Sequence, residues 1–130
     1  MFRIPTILTL LAIALASGNV RATVSFDLAV DRLDDQAGAP VAPGALVLLV
    51  ADTNGDGLGT ALAGSLSLDS PLDGPSGDDL IVYRSDLSSL GIAGSYGEST
   101  GGLDLGGEGG GQWSEGDPLY LLWFPNLSLA

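Results

Sequence analysis

The chain has 130 residues and a formal net charge of −12, with 16 Asp and Glu against four arginines and no lysine, histidine or cysteine. Without imidazole, ammonium or thiol, Ser-His-Asp, Cys-His, Ser-Lys and Schiff-base chemistries have no residues to run on, and zinc sites of imidazole or thiolate are excluded. So acidic a chain is a poor match for nucleic acid or an anionic membrane, and the absence of cysteine leaves packing or bound metal to hold the fold.

Residues 1 to 22 are expected to form a signal peptide. Arg3 supplies the basic start, Ile7 to Ala16 the apolar helix, and Val20-Arg21-Ala22 the small residues of a cleavage site. A cut after Ala16 is the alternative. The apolar stretch is too short to span a hydrocarbon core, which needs roughly 20 residues. Export to the periplasm, cell surface or medium follows, with no membrane insertion once the signal is removed. The 108 residues from 23 to 130 then make one domain. Removal of Arg3 and Arg21 leaves Arg32 and Arg84 against all 16 acids, a formal charge of −14.

Thr23 to Val30 alternates Val24, Phe26, Leu28 and Val30 with small or polar residues, the period of a half-buried strand. Residues 31 to 44 carry Gly38, Pro40, Pro43 and Gly44 and read as loop. ALVLLVA, 45 to 51, suits a strand buried on both faces. After the loop from Asp52 to Thr60, Leu66 and Leu68 alternate with serines, which predicts another strand. Residues 69 to 78 read as loop, LIVYR (80 to 84) as a strand, and Asp86 to Leu90 as a helical turn. Glycine excludes a packed helix between Gly91 and Gly111, and PLYLLWFP (118 to 125) predicts a core strand. The expected class is therefore all-β, a sandwich-like or partly closed barrel of short strands with long Gly- and Asp-rich loops. A core strand so near residue 130 suggests truncation and an open edge.

Asp52-Thr53-Asn54-Gly55-Asp56-Gly57 fits D-x-[DN]-x-[DN]-G, in which alternate oxygen side chains converge on a hard cation. Counting from Asp52, Leu58 would offer a backbone carbonyl and Thr60 a hydroxyl or a water. Ala63 stands where an EF-hand has its bidentate glutamate, and a strand leads in, so an EF-hand is ruled out. The expected ligands of a calcium loop are Asp52, Asn54, Asp56, Leu58 and Thr60, completed from Asp69, Asp73, Asp78, Asp79 or Glu98. The competing reading is a plain hairpin turn, since Asn-Gly and Asp-Gly are strong turn dipeptides.

The glycine-rich segment lacks a phosphate-binding motif and carries Asp104 and Glu108. Trp113, Tyr120 and Trp123 offer a second thread, either as core packing or as a platform for sugar rings. Adjacent acids such as Asp34-Asp35 and Asp78-Asp79 point to opposite sides of a strand, which does not suit a glycosidase pair.

The strings LVADTNGDGLG, DDLIVY and GDPLYLLWFP resemble uncharacterised exported proteins of environmental bacteria, of the kind found alongside PEP-CTERM sorting systems. The likeness covers residues 23 to 127 and implies a secreted or surface-associated β protein. The Val-Pro-Glu-Pro tail of such systems is missing. The expected function is a secreted, non-catalytic module of the envelope or extracellular matrix, with a protein or glycan partner and one stabilising calcium. The alternative is a carbohydrate-binding module using exposed Trp113 and Trp123.

Overall fold

The computed structural model describes residues 22–59, 62, 66–74, 77–87, 91–105 and 113–129. The signal segment before Ala22, the expected ligand Thr60, and residues 88–90 of the expected helical turn lie outside the described residues. The described part is all-β, with no helix and no closed sheet. Its strands are β1 (Thr23–Val24), β2 (Asp27–Val30), β3 (Ala45–Asp52), β4 (Asp79–Asp86), β5 (Tyr96–Ser99), β6 (Leu103–Asp104) and β7 (Leu119–Ser128). They form a three-stranded sheet in the order β4-β3-β7 and two pairs, β2-β5 and β1-β6, all antiparallel.

β3 lies in the centre, and all eight of its residues are buried. Successive side chains of a strand point to opposite faces, so a run without polar residues needs cover on both. On one face Ala45 and Val47 pack with Leu33, Val41, Leu87 and Tyr96, joined by Leu28 and Val30 of β2. Further along that face Leu49 and Ala51 pack with Leu80, Val82 and Trp113, joined by Val24 and Leu103 from the β1-β6 pair. On the other face Leu46, Leu48 and Val50 are covered by Ile81, Leu72 and the loop residues Leu58 and Leu66. Each fully buried Val or Leu contributes about 1.5–3 kcal/mol, so β3 supplies much of the gross stability.

Three features depart from the sequence expectation. The strand from Thr23 to Val30 divides at Ser25 and Phe26, because its halves pair with different segments, Leu103–Asp104 and Tyr96–Ser99. Thr100 holds the junction: its N–H donates to the Phe26 carbonyl (2.8 Å), and its hydroxyl accepts the Phe26 N–H (2.8 Å). Those two strands lie inside the glycine-rich stretch, where four-residue and two-residue elements are too short to carry a period. Leu66 to Leu68 forms no strand; Leu66 packs instead onto the loop-covered face.

In β4 the register shifts between Leu49 and Val50, opposite Tyr83 and Ile81, so that Val82 is the extra residue of a bulge. The bulge changes which residues face which layer: Asp79 and Ile81 share the face of Asp52 and Val50, whereas Tyr83 and Ser85 share the face of Leu49 and Val47. Ser85 Oγ and the Tyr96 hydroxyl then meet at 2.7 Å in the buried layer. β7 is a terminal strand of its sheet with no strand on its outer side among the described residues.

Leu48 is fully buried at the middle of β3, so its truncation removes packed apolar surface and leaves a cavity. Leu48→Ala is expected to destabilise the domain by about 3 kcal/mol, read as a lowered midpoint in urea unfolding with an unchanged slope.

Candidate metal centre

Asp52 ends β3 on the loop-covered face, two residues after Val50, and is 1% exposed. Directly opposite in the ladder stands Asp79, also 1% exposed. Like charges across an antiparallel pair repel, and burial removes the water that would otherwise solvate them.

The following loop answers the charge of Asp52 with backbone donors. Oδ1 accepts the N–H groups of Gly55 (2.7 Å) and Asn54 (3.3 Å), and Oδ2 accepts that of Gly57 (2.8 Å). Gly55 and Gly57 sit at φ 77° and 96°, conformations open to glycine, and this lets the chain curl around the carboxylate. Burial pushes the Asp52 carboxyl up, but the donors from Gly57, Gly55, Asn54 and Asp56 together outweigh it, so its pKa falls below the usual value. Asp52 is therefore a buried anion: Oδ1 accepts two N–H groups, whereas Oδ2 accepts one and keeps lone-pair capacity.

Two contacts position the other carboxylates. Asn54 Oδ1 accepts the Asp56 N–H (2.8 Å), while its Nδ2 donates to Asp56 Oδ2 (3.2 Å). Thr53 donates to the Asp78 carbonyl through both its hydroxyl (2.8 Å) and its N–H (3.2 Å), tying the loop to the residue before β4. As a result one carboxylate oxygen from each of Asp52, Asp56 and Asp78 lies within 4.8 Å of the others. Oxygens bound to one calcium at roughly 2.4 Å each are at most about 4.8 Å apart, so the spacing suits a shared hard cation. The three are buried, exposed and partly buried respectively, so the cluster reaches solvent through Asp56.

The neighbouring acids register the strain of this crowding. Burial pushes Asp78 up, and the charge of Asp56 adds to it. Burial likewise pushes Asp79 up; the Gly59 N–H on Oδ2 (2.5 Å) opposes this, and the charges of Asp73, Asp52 and Asp56 reinforce it.

Of the ligands expected from sequence, Asp52 and Asp56 come together, and Asn54 stands beside Asp56. Leu58 directs its side chain into the core against β3. Asp78 is the acid that joins from outside the loop, whereas Glu98 lies on β5 opposite Leu28. The burial of Asp79 escaped the sequence reading; its position before LIVYR, two strand residues from a buried isoleucine, was the available signal.

Of the two tryptophans that the alternative reading takes as exposed, Trp113 is buried and Trp123 is exposed. Trp113 is 6% exposed, its ring centroid 6.3 Å from that of Phe26, and its Nε1 donates to the Asp104 carbonyl (3.2 Å). Its large apolar surface closes the gap between the central sheet and the β1-β6 pair. Trp123 is 38% exposed and donates to the Asp34 carbonyl (3.0 Å).

The chain matches no protein-family model, no curated protein and no solved structure.

Because the Asp79 carboxyl titrates above its unfolded value, its contribution to stability is present below about pH 4 and is lost as pH rises through the higher folded pKa. In chelator, the domain is expected to melt at a higher temperature in mild acid than at neutral pH. Asp79→Asn, which keeps an acceptor for Gly59, should raise the neutral melting temperature and flatten that dependence, as followed by circular dichroism.

Proposed function

We propose that this chain is an exported, non-catalytic β-sandwich-like module of the envelope or extracellular matrix, stabilised by calcium bound at Asp52, Asp56 and Asp78. The convergence of three carboxylates within 4.8 Å, one of them buried at the end of the central strand, carries the reading. The donors are all hard oxygens, which favour calcium or magnesium over softer metals. Three protein carboxylates converging from the end of β3, the following loop and the residue before β4 favour calcium, since magnesium keeps most of its own waters.

The role of the ion is structural. It would neutralise charge at the point where β3, the following loop and the start of β4 meet, in a chain whose acids far outnumber its cations. A ligand that binds the folded state alone stabilises it by mass action, by about 2.7 kcal/mol at a hundredfold excess over Kd. A carbohydrate platform has less support, since Trp113 is in the core and Trp123 stands without it.

Calorimetric titration of the chelator-stripped, exported chain tests the proposal. The expected result is saturable calcium binding with a Kd of about 10⁻⁴–10⁻³ M, the range of extracellular modules, accompanied by a higher melting temperature. Asp56→Asn, at the exposed rim of the cluster, should weaken binding without unfolding the domain. A folded chain whose melting temperature ignores calcium would leave the loop as a hairpin turn alone.

A further inference from the structure

We propose that two copies of this chain associate through β7. The outer edge of one β7 pairs antiparallel with that of the other about a two-fold axis at Leu121, joining the two central sheets into one, in the order β4-β3-β7-β7-β3-β4.

The two edges of the central sheet are treated differently. Outside β4, the segment from Asp69 to Leu72 takes up the backbone groups: the Asp69 N–H donates to the Ile81 carbonyl (2.8 Å), the Ile81 N–H to the Ser70 carbonyl (3.1 Å), and the Leu72 N–H to the Asp79 carbonyl (2.7 Å). β7 has no such cover among the described residues. The Asp52 N–H donates to the Pro118 carbonyl (3.0 Å), which fixes the phase of the β3-β7 ladder. Tyr120, Leu122 and Phe124, at steps of two from Pro118, turn their backbone groups to β3, so Leu119, Leu121 and Trp123 turn theirs outward. Such an edge is a template for another strand, and natural sheets blunt it with charge, proline or a bulge. None of these falls between Leu119 and Trp123, and no charged residue falls between 118 and 130.

Symmetry and charge identify the occupant as a second copy. With Leu121 opposite Leu121 of the second copy, Leu119 faces Trp123 and Trp123 faces Leu119, so that all three outward residues exchange both bonds with a counterpart. Any other centre leaves one of the three unmatched. The next pair out would set Asp117 against Pro125, which has no N–H, while the Asp117 N–H is already held by the Ser114 carbonyl (3.1 Å). Pairing therefore stops at both ends of one self-complementary window. Most of the surface of a chain with 16 acids repels a second copy, yet every residue brought opposite another within this window is uncharged. A basic partner strand would find no carboxylate on β7 to pair with.

The side chains fit the same register. On the loop-covered face, Tyr120 of the second copy stands directly opposite Leu122, beside a groove of about 320 Å³ lined by Leu122, Phe124 and leucines 58, 62 and 72. Within one chain Tyr120 is partly exposed and belongs to none of the three core clusters, and the pairing gives its ring apolar neighbours.

Sedimentation equilibrium of the full exported chain over a range of concentrations is expected to show monomer and dimer in exchange. Residue-resolved amide hydrogen exchange supplies the register. From the dilute to the concentrated end, the amides of Leu119, Leu121 and Trp123 should slow by about tenfold or more, whereas those of Tyr120, Leu122 and Phe124, held by β3, should be slow throughout. Tyr120→Lys places an ammonium opposite Leu122 of the second copy and alters no backbone bond to β3, so it should give a monomer with an unchanged circular dichroism spectrum and fast exchange at the same three amides. If that variant unfolds, the dilution series of the unaltered chain decides through those amides. A chain that is monomeric at every concentration, a folded Tyr120→Lys that still dimerises, or a dimer whose Leu119, Leu121 and Trp123 amides stay fast overturns the proposal. None of these outcomes depends on the calcium reading, since none of its ligands lies on β7.

Discussion

β3 is buried on both faces over its whole length, and the rest of the described chain is arranged to cover it. Two short strand pairs lie over one face, while β4 and β7 flank it in the sheet. Among the described residues, the second face receives no sheet. Leucines 58, 66 and 72, from the segment between β3 and β4, supply its cover. The loop that carries the acidic motif is consequently part of the core's enclosure, and its conformation bears on stability as directly as any strand does.

That arrangement explains why the charge is placed so awkwardly. A strand that buries both faces must still end, and here it ends in Asp52 before leaving the hydrophobic layer. The carboxylate remains ionised because four residues of backbone curl around it, which only glycines at positive φ allow. Asp79, across the ladder, has one such donor and bears the larger penalty. The two acids share an environment of similar burial yet are shifted in opposite directions, because Asp52 has more backbone donors and Asp79 also meets the charges of Asp73, Asp52 and Asp56. A domain so short of cations has few internal means of relieving the rest.

Much of this was readable beforehand, for identifiable reasons. The run from Ala45 to Ala51 has no period because both faces are buried, and its length alone distinguishes it from a helix. The alternation of Tyr120, Leu122 and Phe124 against Leu119, Leu121 and Trp123 matches the faces they take opposite β3. Asp52 and Asp56 announce themselves by spacing within one loop. The site residues contributed by other segments were less legible: Asp78 appeared among several available acids, and no local pattern separates it from Asp69 or Glu98.

By itself, the sequence determined the all-β class, the buried central strand and the acidic loop, because each follows from composition and from spacing within a few residues. Only the tertiary structure decided that Thr23 to Val30 splits between two sheets, that Trp113 is sealed into the core, and that Asp79 stands opposite Asp52. Those outcomes depend on which distant segments pair and in what register. A single bulged residue, Val82, sets which side chains of β4 face the carboxylate cluster, and register of that kind is fixed by contacts between strands and not by the order of residues along one.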